Sequence, residues 1–271
     1  MSQTFTNEHR WEVPSAVIHR FFNKRTKYCV CIPVLNEGQR FITQLESMRK
    51  ISKLADLLIL DGGSSDGSTE TSFLKRNNVR TLLTKTGPGK LGAQLRMGYA
   101  YALRQGYAGI ITIDGNGKDN PNAIPIIIKQ LDAGYDYLQG SRFITGGRGI
   151  NTPLSRQMAI RLFHAPFLSL VSGYWFTDTT PGYRGYSRRY LLDPRVRPFR
   201  NMFDSYELLA YLTVRAPQLG YKTKEVPITR SYPDTGKIPT HISHFRGSLQ
   251  LLSILFRTAL GKFNPKFSPN Q

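Results

Sequence analysis

The sequence predicts an α/β fold, with a mostly parallel central sheet flanked by helices. Three observations predict it. Short apolar runs alternate with longer amphipathic segments from Tyr28 onward. Each run has the length of a buried strand and each longer segment that of a helix. Polar, glycine-rich clusters follow three of the runs, as they do where an open parallel sheet turns into its helices.

Strands are expected at 28–34, 56–60, 80–84, 109–113 and 135–139. Helices fill the intervals: about 38–50 after Asn36-Glu37, 67–77 after Asp66, 91–105 after a glycine loop, and 121–133. Asn120 is placed to cap the last of these, and Pro121 suits its first turn. After Gly140 the rhythm changes to Gly- and Arg-rich loops, an apolar stretch over 162–176, a helix over 203–219 and a short strand over 222–228. Residues 1–27 read as an extension, 28–238 as the main domain, and 239–271 as a basic and apolar helical tail. The apolar run within 245–263 is shorter than the roughly 20 residues needed to cross a bilayer core of about 30 Å. Its stripe suits a helix lying on a membrane or one packed on its own domain.

The 271 residues carry 37 Lys+Arg against 18 Asp+Glu, a formal charge of +19. Such a field attracts nucleic acid, anionic lipid or phosphorylated small molecules. Basic residues form no long run and do not interleave with aromatics, which argues against a nucleic-acid partner. Cys29 and Cys31 alternate along one apolar run; on a strand they share a face and are poorly placed to bridge, so they are expected as core residues in a reducing cytosol. The first 28 residues mix charged and apolar pieces with no continuous signal-peptide core. A cytoplasmic protein, peripheral on the cytoplasmic face of a membrane, is expected.

Ligands of an open parallel sheet sit beyond the carboxyl ends of its strands. Strand 28–34 leads into Pro33-Val-Leu-Asn-Glu37, strand 56–60 into Asp61-Gly-Gly-Ser-Ser-Asp66-Gly67, and strand 109–113 into Asp114-Gly-Asn116-Gly-Lys118-Asp119. Acids on neighbouring strand ends would repel a diphosphate unless a hard divalent cation lies between, accepting carboxylate and substrate oxygens together. Such a cation also stabilises the charge that develops on a departing nucleoside diphosphate. Asp61 stands where a carboxylate can hold base or ribose hydroxyls.

The succession Ile32-Pro-Val-Leu-Asn-Glu37, Leu60-Asp-Gly-Gly-Ser-Ser-Asp-Gly-Ser-Thr69, Ile113-Asp-Gly-Asn-Gly-Lys-Asp-Asn-Pro121 and Gly140-Ser-Arg-Phe143 resembles family 2 glycosyltransferases, especially the dolichyl-phosphate mannosyltransferase-like branch. Asp178-Thr-Thr-Pro-Gly-Tyr-Arg184 and Glu225-Val-Pro-Ile228 continue it, in order, over about 29–238. The resemblance implies a GT-A fold and inverting transfer of a sugar from a UDP- or GDP-linked donor to a polyprenyl-phosphate-like lipid. It also implies a nucleotide pocket from Pro33, Leu35, Glu37 and Asp61, bordered by Lys90. Asp114 and Asn116 take the two acidic places of the family's Asp-x-Asp metal motif, for Mg²⁺ or Mn²⁺. Arg142, Arg156 and Arg184 fall where the branch binds donor diphosphate and acceptor phosphate, with Lys237 near the closing loop. Two departures stand out: Asn116 replaces an acid, and Lys118 replaces a metal-binding glutamine. Either Asp119 substitutes as a ligand, or the lysine partly takes over charge neutralisation.

Two other readings are open. A saccharide hydroxyl acceptor would need a carboxylate to take its proton, with Asp204 or Glu207 as candidates. Gly87-Pro-Gly89-Lys-Leu-Gly92 fits G-x-G-x-x-G and would mark an NAD(P)-dependent oxidoreductase, although it follows a later strand where the fingerprint belongs to the first. The aromatic group Tyr174-Trp175-Phe176 suits the level of lipid headgroups or a buried core. Arg156, Arg161, Arg246, Arg257 and Lys262 lie near it or in the tail and add attraction to anionic lipid. His241 and His244 lack partners at metal-ligand spacing and read as solvated or hydrogen-bonded.

Overall fold

A computed structural model describes residues 11–233 and 246–266. Its central sheet has eight strands in the order β1-β4-β3-β2-β5-β8-β6-β9. Five match sequence expectation within a few residues: β2 (Tyr28–Val34), β3 (Asp56–Asp61), β4 (Val79–Lys85), β5 (Gly109–Thr112) and β6 (Tyr137–Ser141). The expected strand over 222–228 is β9 (Thr223–Pro227). Pairing is parallel along β4-β3-β2-β5 and between β6 and β9.

Two strands break the parallel pattern, and neither shows as an apolar run. The edge strand β1 (Ala16–Arg20) lies antiparallel on β4, so part of the segment set apart as an extension joins the sheet. Trp11 packs on Phe199 with ring centroids 4.2 Å apart. The strand β8 (Arg184–Ser187) runs antiparallel between β5 and β6, where Gly185 faces Leu138 and Ile127 so closely that a Cβ would lie 2.6 Å from Ile127.

Alternation along β2 divides the core, as a pleated strand buried on both faces requires. Val30, Ile32 and Val34 pack with α1 (Gln39–Ser47) and α4 (Ile124–Asp132). Cys29 and Cys31, both free and buried, pack on the other face with α3 (Leu91–Arg104) and α8 (Glu207–Gln218).

Helix starts follow local chemistry. The expected 67–77 helix begins later, as α2 (Thr71–Arg76), because the Glu70 carboxylate caps it by accepting from Phe73 N–H at 3.2 Å. Asn120 does cap as expected, accepting from Asn122 N–H at 2.9 Å, but Pro121 opens a short 3₁₀ turn ahead of α4.

Beyond β6, the short strand β7 (Arg148–Ile150) pairs in parallel with β10 (Thr229–Ser231). The 162–176 stretch is largely helical: α5 (Leu154–Ala159) passes through a π-helical turn, Ile160–His164, into α6 (Ala165–Ser172). A short helix, α7 (Arg188–Leu192), precedes α8. In the tail, α9 (Arg246–Ala259) packs on α6 and α8, with Leu255 against Leu168 and Val214. Lys237, His241 and His244 lie outside the described residues.

Candidate active site

The ends of β3, β2 and β5, neighbours in the sheet, bring their polar loops to one edge. Gly62 N–H donates to Val34 O at 2.9 Å and Gly115 N–H to Pro33 O at 3.1 Å, so the flanking loops fold onto the end of β2. Asn36, at φ 51°, turns the chain out of β2, and its Oδ1 accepts from Ser65 N–H at 2.8 Å. Asp66 accepts from Gly38 N–H at 2.8 Å and from Ser68. Burial opposes its ionisation, but the Ser68 and Gly38 donors outweigh burial and hold its carboxyl below the ordinary range. From α3, the Gln94 amide donates to Val34 O at 2.8 Å and to Leu60 O, locking the two strand ends together.

The predicted nucleotide residues lie along this edge. Pro33 is buried, Leu35 is exposed, and Glu37 pairs with Arg40 at 3.0 Å. The buried Asp61 accepts Gly63 and Ser64 N–H groups at 3.1 and 2.8 Å through Oδ1, which shapes its own loop. Lys90 stands exposed at the start of α3.

Asp114 is partly open, with its side chain 24% exposed. Gln44 fixes its loop by donating to Asp114 O at 2.9 Å and accepting from Gly117 N–H at 2.8 Å. Arg230 Nη2 lies 3.5 Å from Asp114 Oδ2, while its Nη1 pairs with Asp119. Backbone bonds set this register: Asn120 N–H donates to Thr229 O at 3.0 Å, and Ser231 N–H to Lys118 O at 2.8 Å. Tyr232 follows on the same strand, and cations surround its ring. Arg156 lies 5.5 Å from the centroid and bonds the hydroxyl at 3.1 Å, while Lys118 and Arg230 each lie 5.9 Å from the centroid. Burial pulls the Lys118 ammonium below its ordinary pKa, and the neighbouring Arg230 adds to this.

The implied metal was tested against these donors. Asp119 is buried and pairs with Arg230 through Oδ2, while its Oδ1 has no hydrogen-bond partner. Asn116 Oδ1 accepts Lys118 N–H at 3.2 Å, which leaves a second lone pair on that oxygen. Asp114 and Asn116 therefore fit a divalent cation whose remaining shell comes from substrate oxygens. Among the described residues, no three His, Cys, Asp or Glu side chains group as metal ligands.

Three predicted catalytic residues are committed elsewhere. Arg142 forms a buried bidentate pair with Asp178 at 2.7 and 3.0 Å. Arg184 is buried and donates to the carbonyls of Pro181, Leu209 and Thr179, so it ties the 179–181 loop to α8. Glu207 is buried at the start of α8 and accepts Ser205 N–H at 2.5 Å, which makes it a helix-end carboxylate and not an open base. The glycine loop is no phosphate cradle either. Asp204 O accepts N–H groups from Lys90, Gly92 and Ala93, which fills the N-terminus of α3 that a dinucleotide would need. A Cβ on Gly92 would lie 2.5 Å from Phe203 O, so the glycine serves this close approach.

Sequence reasoning missed several organising residues. Glu225 accepts Thr177 and Asp178 N–H groups at 2.9 to 3.0 Å and so positions Asp178 for Arg142. His164, in the π-helical turn, places Nδ1 2.6 Å from Thr179 Oγ1. Its only sequence signal is a polar residue inside an apolar run.

Beside the site lies an apolar surface. Leu162, Leu170, Trp175 and Leu260 are 70%, 86%, 72% and 71% exposed. Phe163 of the π-helical turn stacks on Phe167 of α6 at 5.9 Å, and Phe167 meets Phe256 of α9 edge-on at 5.5 Å. A cavity of about 240 Å³ opens among Phe143, Arg161, Pro166, Trp175 and Thr177. Among the described residues, no helix is long and apolar enough to cross a membrane.

The mostly parallel sheet with its acidic strand-end loops defines an α/β protein of the GT-A fold. Residues 29–193 match the family model "Glycosyl transferase family 2". The chain belongs to that family and is a glycosyltransferase. It is 27% identical over 211 residues to the polyprenol monophosphomannose synthase of Mycolicibacterium smegmatis, covering 76% of this chain and 78% of the relative. It is 30% identical over 207 residues to the undecaprenyl-phosphate mannosyltransferase of Micrococcus luteus, covering 73% and 81%. Among solved structures, it resembles glucosyl-3-phosphoglycerate synthase from Mycobacterium tuberculosis in complex with uridine diphosphate, with a TM-score of 0.61 at 16% identity over 86% of this chain and 79% of that one. The same enzyme with Mn²⁺, uridine diphosphate and glucosyl-3-phosphoglycerate matches with a TM-score of 0.58 at 15% identity, over 89% and 81%.

Proposed function

We propose that this protein transfers a sugar from a UDP- or GDP-linked donor, with inversion, to the phosphate of a polyprenyl-phosphate-like lipid at the cytoplasmic face of a membrane. The observation that carries this reading is the exposed apolar face of α5, α6 and α9 beside a cationic strand edge. A lipid phosphate needs both: apolar surface for its chain and fixed cations for its head. Arg161 and Arg257, on the same helical elements, add attraction to anionic headgroups.

Glu37 and the Asp61 loop line the nucleotide side of the edge, while Arg156, with Lys118 and Arg230 behind it, faces phosphate. A bound Mg²⁺ or Mn²⁺, held by Asp114 and Asn116, would neutralise charge on the departing diphosphate. A phosphate monoester with a second pKa of about 6 is largely dianionic at neutral pH. One of its oxygens attacks the anomeric carbon opposite the leaving group, forming one C–O bond as the bond to the diphosphate breaks. No general base is required, which accords with the commitment of Glu207 to its own helix end.

The test is transfer by the purified protein from labelled UDP- and GDP-sugars, with Mg²⁺ or Mn²⁺, to a short polyprenyl phosphate or to a free saccharide. Label should move into the organic phase with the polyprenyl phosphate, and Asp114→Ala should abolish that movement. Transfer to the saccharide alone would overturn the lipid acceptor.

A further inference from the structure

One guanidinium spans two carboxylates beyond the end of β5. Arg230 pairs with Asp119 Oδ2 through Nη1, and its Nη2 lies 3.5 Å from Asp114 Oδ2. The contacts are unequal: the first is a close ion pair, while the second stands at the outer limit of a hydrogen bond. Residues 119 and 230 also face each other in an isolated antiparallel bridge, flanked by the backbone bonds from Asn120 to Thr229 and from Ser231 to Lys118. The backbone thus fixes Arg230 beside Asp119, and only its side chain decides how firmly Asp114 is held.

The two carboxylates differ in what else they meet. Asp119 is buried, and its Oδ1 has no hydrogen-bond partner. A buried carboxylate oxygen left unmet keeps its full desolvation cost, so it favours any donor that can turn to it. Asp114 is the more open of the two, yet its Oδ1 lies so close to Gly182 that a Cβ there would sit 2.2 Å away. One oxygen of Asp114 is therefore walled by the 178–184 loop and the other is covered by Arg230. A guanidinium offers parallel N–H groups that match both oxygens of a single carboxylate. Turned fully onto Asp119, Arg230 satisfies the unmet Oδ1 and releases Asp114.

We infer that Arg230 is a positioning residue with two settings: it is the counter-ion of Asp114 before a divalent cation binds, and the bidentate partner of Asp119 once Asp114 is given to the cation. The inference rests on the metal-assisted transferase reading above and adds how this chain controls access to Asp114. Arg156 remains the cation that faces phosphate, while Arg230 stands behind it and serves the two carboxylates. A positive charge close to a divalent cation opposes it, so Arg230 on Asp114 weakens metal binding. Asp119 relieves this by drawing the guanidinium away.

Mn²⁺ binding to the full chain, read from the electron-spin resonance signal of free Mn²⁺ with and without UDP or GDP, tests this. Asp119→Asn cannot accept both guanidinium donors, so Arg230 stays on Asp114 and Mn²⁺ should bind about tenfold more weakly. Asp119→Leu combined with Arg230→Met leaves no lone buried charge and uncovers Asp114, so Mn²⁺ should bind at least about threefold more tightly than to the unaltered protein. A merely structural pair cannot give opposite shifts, because lost packing loosens the site in both variants. Tm shows whether each variant folds; should the double variant fail to fold, Asp119→Asn decides alone. Unchanged Mn²⁺ affinity in Asp119→Asn, or unchanged or weaker affinity in the folded double variant, would overturn the inference and leave the transferase reading standing. No Mn²⁺ binding by the unaltered protein, even with nucleotide present, would remove the metal from both.

Discussion

Gly182 lies against Asp114 so closely that a Cβ placed on it would sit 2.2 Å from Asp114 Oδ1. The 178–184 loop thus forms a wall that admits the carboxylate only because residue 182 lacks a side chain. Gly182→Ala must move either the loop or Asp114, and overpacking of this kind costs about 1–3 kcal/mol. Sugar transfer should fall at least tenfold. Activity within twofold of the unaltered protein would show that Asp114 tolerates displacement.

Arg142 and Asp178 form a buried pair, and Glu225 positions the aspartate. Asp178→Ala leaves a buried guanidinium without its counter-charge and should lower stability by about 3–5 kcal/mol in denaturant unfolding. Arg142→Met combined with Asp178→Leu should cost less than the single change, since no lone charge remains. Equal losses would mean that packing, not charge, dominates there.

Leu170 and Trp175 are the most exposed large apolar residues of their region. Fully burying such a side chain is worth about 1.5–3 kcal/mol, so Leu170→Ser and Trp175→Ser should each weaken partition onto vesicles about tenfold. Sedimentation with vesicles rich in anionic lipid reads this. Raised salt should weaken binding further, through screening of Arg161 and Arg257. Partition of the double variant equal to that of the unaltered protein would remove the membrane face.

His164 is held well below its ordinary value, at about 4, first by burial and then by Arg184 nearby. A histidine with a depressed folded pKa keeps its full contribution above its unfolded value of 6.5, and stability falls as pH drops from there toward about 4. That window corresponds to at most about 3 kcal/mol, because the ring keeps some exposure. His164→Gln retains a polar partner for Thr179 and should flatten the stability profile between pH 6.5 and 4. An unchanged profile would assign the acid sensitivity to other groups.

The strand-end edge was legible in the sequence because its causes are local. Buried parallel strands must be apolar on both faces, so β2, β3, β4, β5 and β6 stand out as runs. The residue after each run must sit at the carboxyl edge, which brings Glu37, Asp61 and Asp114 to neighbouring loops. β8 was invisible for the same reason: Arg184-Gly-Tyr-Ser187 is too short and polar to read as a strand, and only its neighbours β5 and β6 make it one.

By itself, the sequence determined the fold class, the order of the parallel strands' loops and the family. Tertiary structure alone decided which charges are available. Arg142, Arg156 and Arg184 look alike as letters, yet Asp178 engages the first, the second sits over Tyr232 at the site, and the carbonyls of Thr179, Pro181 and Leu209 hold the third. A guanidinium's role depends on which acceptors surround it, and several of these come from segments 25 to 76 residues away in the chain. Hydrophobic period is written in neighbouring residues; charge pairing is written only in space.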